Sequence, residues 1–298
     1  GLFLNAFENL KHGRHTSPLL ISGVGDFIAA SQGKVGMAIG NGIGSVICNT
    51  AMILAISIVF IPVAVNRKDF APKALLLVAA VVTLFLFSLK GSLSIIGAIA
   101  LLVVFGLYIF ENVRSAKADI SVAAAQDDMR PEVNKKSVSI NVLKVVFGAA
   151  GTVIGSRLLV NSGSKIAASI GVSEAVIGVT IIAIGTSLPE LVTAIVSVAK
   201  KQSSMSVGNV IGANVIDTTL ILAVCAFVYG GSLPVSAANI YLDFPVAILV
   251  SLIAVIPTII TKKFSRWQGI VMLVIYAAYL YMSVAGLSWY LPLFGIAA

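Results

Sequence analysis

Eight apolar runs dominate the chain, near 35–65, 74–89, 91–110, 139–160, 174–199, 205–229, 244–261 and 267–285. Each is about long enough to cross a hydrocarbon core of roughly 30 Å as a helix. Inside lipid no water satisfies the backbone, so only helices or closed barrels survive, and runs of this length select helices. A ninth run, near 16–32, is interrupted by Gly23, Gly25 and Asp26. With 58% hydrophobic and 11% charged residues and a mean hydropathy of +1.04, the composition excludes an ordinary soluble domain. The expected fold class is all-α, a polytopic integral membrane protein. Cys48 and Cys225 both lie inside apolar runs and read as small buried hydrophobes rather than a disulfide.

The net charge of +8 follows the loops and gives no reason to expect a nucleic-acid partner. If the polar segment 111–137 is cytoplasmic, that side collects Arg67, Lys68, Lys73, Arg114, Lys117, Arg130, Lys135, Lys136, Lys200, Lys201, Lys262, Lys263 and Arg266, while the other keeps Lys34, Lys90 and Lys165. The chain starts at Gly1, and residues 1–34 read as an incomplete or atypical N-terminal segment.

The chain also repeats itself. Gly40-Asn41-Gly42-Ile43-Gly44-Ser45-Val46-Ile47-Cys48-Asn49-Thr50 parallels Gly208-Asn209-Val210-Ile211-Gly212-Ala213-Asn214-Val215-Ile216-Asp217-Thr218, and the stretch from Gly97 parallels that from Gly269. Residues 35–110 therefore form a first half, 111–137 a hydrophilic cytoplasmic linker, and 138–298 a second half. Equivalent loops carry opposite charge. Asn66-Arg67-Lys68 corresponds to Gly230–Leu242, which has no basic residue, and the loop holding Lys90 corresponds to the one holding Lys262 and Lys263. The halves are thus expected to be inverted, with any substrate site near the midplane where they meet.

Two acids lie deep in apolar sequence, Glu190 in Gly185-Thr186-Ser187-Leu188-Pro189-Glu190, and Asp217. Pro189 has no N–H and clashes with the carbonyl four residues back, so the helix is expected to open near Gly185 and Thr186. Freed carbonyls, the Thr186 and Ser187 hydroxyls and the Glu190 carboxylate make a set of hard oxygens that suits a hard cation. With Ser203 at the hairpin tip, Glu190 and Asp217 fall about 20 and 21 Å along their helices, near one depth. Neither span supplies a neighbouring Lys or Arg, and a bound cation is the economical partner. An ion pair with Arg157 is the structural alternative for Glu190. Gly208 and Gly212, like Gly40 and Gly44, make a close-packing face. Asn41 and Asn209 fit ion binding and interhelical hydrogen bonding equally, and Asp243, at a span's start, reads as a solvated or capping residue.

The motifs at 185–191 and 208–217 resemble the second α-repeat of the calcium/cation antiporter superfamily, most closely its prokaryotic sodium/calcium exchanger branch. Gly40–Thr50 is similar to the latter half of the first α-repeat, and Arg266-Trp267-Gln268-Gly269 to a motif that opens a late helix. The resemblance spans roughly residues 35–285. It implies two inverted five-helix halves around a central cation site. Glu190, Asp217, Thr186 and Ser187 would be the second repeat's ligands, and Ser45 and Asn49 those of the first. Two departures stand out: Ala213 occupies a position where the family usually has serine, and the first half lacks a Thr-Ser-x-Pro-Glu segment, Ser22 standing opposite Glu190 with Asp26 as the nearest acid.

The function this implies is a secondary active antiporter exchanging Ca²⁺ for Na⁺ by alternating access, in a prokaryotic plasma membrane. The alternatives are a proton-coupled cation exchanger, since a buried carboxylate can itself carry the counter-ion, and a non-transporting remnant with a damaged first repeat. No nucleophile with a neighbouring base, histidine cluster or cofactor loop points to an enzyme. No cofactor is expected, only the transported ions Ca²⁺ and Na⁺, with membrane lipid and inorganic cations as partners. Oligomeric state is not legible.

Overall fold

The computed structural model describes residues 35–125, 188–199 and 203–285, with scattered positions between 151 and 187. In chain order the elements are α1 (Val35–Cys48), a π-helical segment Asn49–Leu54, α2 (Ala55–Phe60), α3 (Arg67–Ser88), β1 (Ser92–Ser94), α4 (Ile95–Ala125), α5 (Leu188–Ala199), α6 (Ser203–Ile216), a second π segment Asp217–Ile221, α7 (Leu222–Val228), β2 (Ser232–Pro234), a third π segment Asn239–Asp243, α8 (Phe244–Thr261) and α9 (Arg266–Ala285). Six helical stretches among the described residues are long and apolar enough to cross a membrane, and they coincide with six of the eight apolar runs. The runs near 139–160 and 174–199 fall largely outside the described residues.

Two spans form the centre. Ile39–Phe60 and Ser206–Val228 are 78% and 83% buried, whereas the other four are 28–39% buried. Residues 42–51 and 210–219 are buried without a break, so each inner helix is enclosed on all sides. The outer helices turn an apolar stripe outward, on α4 through Ile96, Ile99, Val103, Leu107 and Phe110, which fits a lipid contact.

Antiparallel clasps tie the halves together at both ends of α3. At one end Ala64 bridges Lys263, with Val65 N–H donating to Lys262 O at 2.9 Å and Phe264 N–H to Val63 O at 2.7 Å. At the other, β1 pairs with β2 in the register Leu93 to Leu233, with Val235 N–H donating to Gly91 O at 2.9 Å and Ile95 N–H to Gly231 O at 3.1 Å. These are the same clasp with the halves exchanged. Even the left-handed residue recurs, Gly91 at φ 78° in one and Lys262 at φ 59° in the other. The 22 residues of α3 separate the clasps by about 33 Å. Equivalent loops therefore lie on opposite faces, and the inverted repeat is a property of the backbone. One clasp carries Arg67, Lys68, Lys262 and Lys263 and the other only Lys90, the charge bias expected if the first faces the cytoplasm. Cysteines introduced at the exposed positions Lys263 and Ser236 are expected to react with a membrane-impermeant maleimide from opposite sides. Labelling of both from one side in sealed vesicles would contradict the inversion.

Three boundaries differ from the sequence reading. Helix α3 starts at Arg67, ahead of the apolar run, because Asn66 caps it by accepting Lys68 N–H at 3.1 Å and satisfying an end that hydropathy does not register. Helix α4 continues to Ala125, so the first part of the segment read as a linker is helix; residues 126–150 lie outside the described residues. At about 1.5 Å per residue α4 outruns the bilayer, and its Arg114–Glu111 pair at 3.4 Å sits near the end of the apolar stretch. Asp243 is buried rather than solvated. It belongs to the third π segment and its carboxylate accepts Asn239 Nδ2 at 2.7 Å.

Candidate cation site

The inner pair widens into π-helix at equivalent residues, Asn49 in the first half and Asp217 in the second. In the second half the cause is local. Thr218 Oγ1 donates to Asn214 O at 2.7 Å and Thr219 Oγ1 to Val215 O, and such back-bonding hydroxyls compete for the carbonyls of the helix ladder. A π turn displaces the side chains beside it, and such turns recur at functional sites.

Helix α5 begins at Leu188, with Ser187 in the turn before it. Pro189 therefore stands in the first turn, where its missing N–H leaves no ladder bond unmade. Glu190 also falls in that turn, where the helix dipole favours a negative charge. Gly185 itself is helical and Ser187 lies in a turn; the residues before Gly185 that would define the expected break lie outside the described residues. Thr186 and Arg157 lie outside the described residues, as do Ser22 and Asp26. The hairpin is as expected, since α5 ends at Ala199, α6 begins at Ser203, and the two pack against each other.

Helix α5, which carries Glu190, and helix α6, which leads into Asp217, both pack on the π segment Asn49–Leu54. The Cys48 thiol lies beside Ser187 and Tyr276, so the turn that leads into α5 faces the Cys48–Asn49 stretch. On the α6 side, Asn49 Nδ2 donates to Asn214 Oδ1 at 3.0 Å and Asn214 Nδ2 donates to Thr50 Oγ1 at 2.8 Å. Glu190, Ser187, Asn49, Asp217 and Ser45 are all buried, Glu190 being 3% and Asp217 4% exposed. Among the described residues, Glu190 Oε2, Ser187 Oγ and Asn49 Oδ1 are buried oxygens with no hydrogen-bond partner. No three His, Cys, Asp or Glu side chains cluster among those residues. Beyond the two carboxylates, the candidate oxygens are thus neutral.

Asn214 was not among the residues singled out from sequence, although it is fully buried and joins the halves. The signal was present: a carboxamide in mid-span, one turn before Asp217, is costly unless bonded. The motif glycines divide in role. A Cβ on Gly212 would lie 3.1 Å from Tyr108 Oη and one on Gly42 3.3 Å from Leu222, whereas Gly44 and Gly208 meet no described atom within 4 Å. In the late motif, Gln268 Oε1 accepts Ser265 N–H at 2.8 Å, and its Nε2 donates to Ile253 O at 2.9 Å and Thr258 Oγ1 at 3.0 Å. That motif is structural, fastening the start of α9 to α8.

An inverted repeat of membrane helices, with buried oxygens gathered where its halves meet, defines a secondary transporter. The profile of the family described as sodium/calcium exchanger protein matches residues 21–113 and 140–285. The chain belongs to that family of membrane exchangers, and it is a transporter rather than an enzyme. The match begins closer to the N-terminus than the 35–285 read from the motifs. The chain is 32% identical over 246 residues to an uncharacterized membrane protein of Methanocaldococcus jannaschii, covering 81% of this chain and 74% of that protein. It is 36% identical over 142 residues to the sodium/calcium exchanger MaX1 of Methanosarcina acetivorans, covering 47% of this chain and 39% of that one. The solved structure of the sodium-calcium exchanger NCX_Mj, soaked with 2.5 mM Na⁺ and 10 mM Sr²⁺, superposes with a TM-score of 0.73 at 28% identity, covering 94% of this chain and 87% of that one.

Proposed function

We propose that this exchanger moves Ca²⁺ against Na⁺ by alternating access. Its cation is held between the halves by Glu190 and Asp217, with Ser187, Thr186, Asn49 and Ser45 completing the oxygen set. The observation that carries the reading is the group of buried oxygens without partners among the described residues, Glu190 Oε2 and Ser187 Oγ from the second half and Asn49 Oδ1 from the first. An ionised carboxylate out of water is costly by many kcal/mol unless a charge meets it. Neutral oxygens beside it add ligands without adding charge, which suits a hard cation that sheds its water. Contributions from both inverted halves mean that rocking one against the other opens the same site to either face. The relative named a sodium/calcium exchanger supports the choice of ions.

The test is radiolabelled Ca²⁺ uptake into liposomes holding the purified protein. Uptake is expected under an outward Na⁺ gradient and not under a pH gradient alone. Uptake driven by the pH gradient in the absence of Na⁺ would make protons the counter-ion and overturn sodium coupling.

A further inference from the structure

We propose that Asn214 is a positioning residue for transport: it orients the Asn49 carboxamide so that oxygen, not nitrogen, faces the cation. This rests on the reading of Asn49 as an ion ligand. A carboxamide has two ends of nearly the same shape and opposite chemistry, an acceptor oxygen and a double donor. Rotated by half a turn, Asn49 would aim N–H bonds at the cation and repel it. In the structure Asn49 Nδ2 is engaged by Asn214 Oδ1 at 3.0 Å, which leaves Asn49 Oδ1 without a partner among the described residues. Asn214 is held in turn, since its Nδ2 donates to Thr50 Oγ1 at 2.8 Å. One side chain of the second half thus grips two consecutive side chains of the first, in a place with no exposure for Asn214 and 1% each for Asn49 and Thr50. Bulk water does not compete there, so these bonds are not exchanged for bonds to solvent.

The repeat explains why this device occurs once. The residue equivalent to Asn214 is Val46, and the residue equivalent to Asn49 is Asp217. A carboxylate has two interchangeable oxygens and presents an acceptor whichever way it turns. Asp217 therefore needs no orienting amide from the first half, and an apolar residue suffices. Asn49 has unlike ends and needs one.

The prediction is a coupling between two positions, read as the Ca²⁺ Kd from equilibrium binding to purified protein with size-exclusion profiles as the folding control. Asn214→Leu should weaken Ca²⁺ binding about tenfold or more, the scale of one lost buried hydrogen bond. In an Asn49→Asp background, whose carboxylate needs no orienting, the same substitution should change Kd by less than about twofold. A merely structural Asn214 would cost the same factor in both backgrounds, and equal factors, or no loss in either, overturn the proposal. Asn214→Ala runs the same cycle where Leu does not yield folded protein. Glu190→Gln separates the two readings: Ca²⁺ binding unaffected by it refutes the cation site itself, whereas binding lost there but retained in Asn214→Leu refutes only the positioning role.

Discussion

Glu190→Gln is expected to abolish Na⁺-driven Ca²⁺ uptake in proteoliposomes while leaving the protein folded. The substitution keeps shape and volume and removes one charge from a side chain that is 3% exposed. A unit charge acting over about 4 Å at an effective dielectric near 20 contributes about 4 kcal/mol, and a divalent ion feels twice that. The smaller figure already corresponds to about a thousandfold in affinity. Stability should move the other way in the ion-free protein. Its Oε2 has no protein partner among the described residues, and neutralising an uncompensated buried charge removes a desolvation cost. The variant is therefore expected to run as a monodisperse peak and to lack the Ca²⁺-dependent rise in Tm expected of the parent. Uptake at the parental rate would sink the assignment of Glu190. Loss of folded protein would mean that the carboxylate serves an ion pair such as that with Arg157.

The second large effect is expected far from the ion. Gly269 opens α9 against α2, and a Cβ there would stand 2.7 Å from Ala55 O and 2.6 Å from Val59 Cγ2. The carbonyl belongs to a helix backbone and cannot swing aside, so Gly269→Ala must push α9 away from α2. Overpacking of this kind costs about 1–3 kcal/mol, expected as a fall of several degrees in the Tm of the detergent-solubilised protein. Helix α2 follows directly on the π segment that carries Asn49, so Ca²⁺ uptake should fall as well. Gly106→Ala, on the lipid-facing side of α4 with no described atom within 4 Å of the added Cβ, is the control and should not lower Tm. A Tm unchanged in Gly269→Ala would show that α9 and α2 are not so closely packed.

Much of this architecture was legible because lipid leaves the backbone few options. Six of the runs coincide with helical stretches of the structure, and the inversion read from Lys90 against Lys262 and Lys263 reappears as two equivalent clasps. The errors share a cause. The sequence reads Asp243, at a span's start, as solvated or capping; it does stand at the N-cap position of α8, but buried, because the third π segment extends that span and its Asn239 supplies the acid with a donor. The start of α3 was read late because hydropathy sees the apolar run and not the Asn66 cap. The linker was read too long because polar composition does not prevent α4 from continuing past the membrane as a helix.

The residues of the candidate site divide in the same way. Sequence alone determined that the chain spans a membrane as helices, that its halves are inverted repeats, and that Glu190, Asp217, Ser187, Asn49 and Ser45 are polar groups deep in apolar segments. Those conclusions depend on composition, periodicity and local backbone chemistry, which neighbouring residues carry with them. Only the tertiary structure decided which of these groups meet. It brought α5 and α6 together on the Asn49 segment, made Asn214 the bridge between halves 165 residues apart along the chain, and left some buried oxygens partnered and others not. Hydrogen bonds between distant helices depend on rotations about each helix axis, and those rotations are set by packing that no single segment encodes.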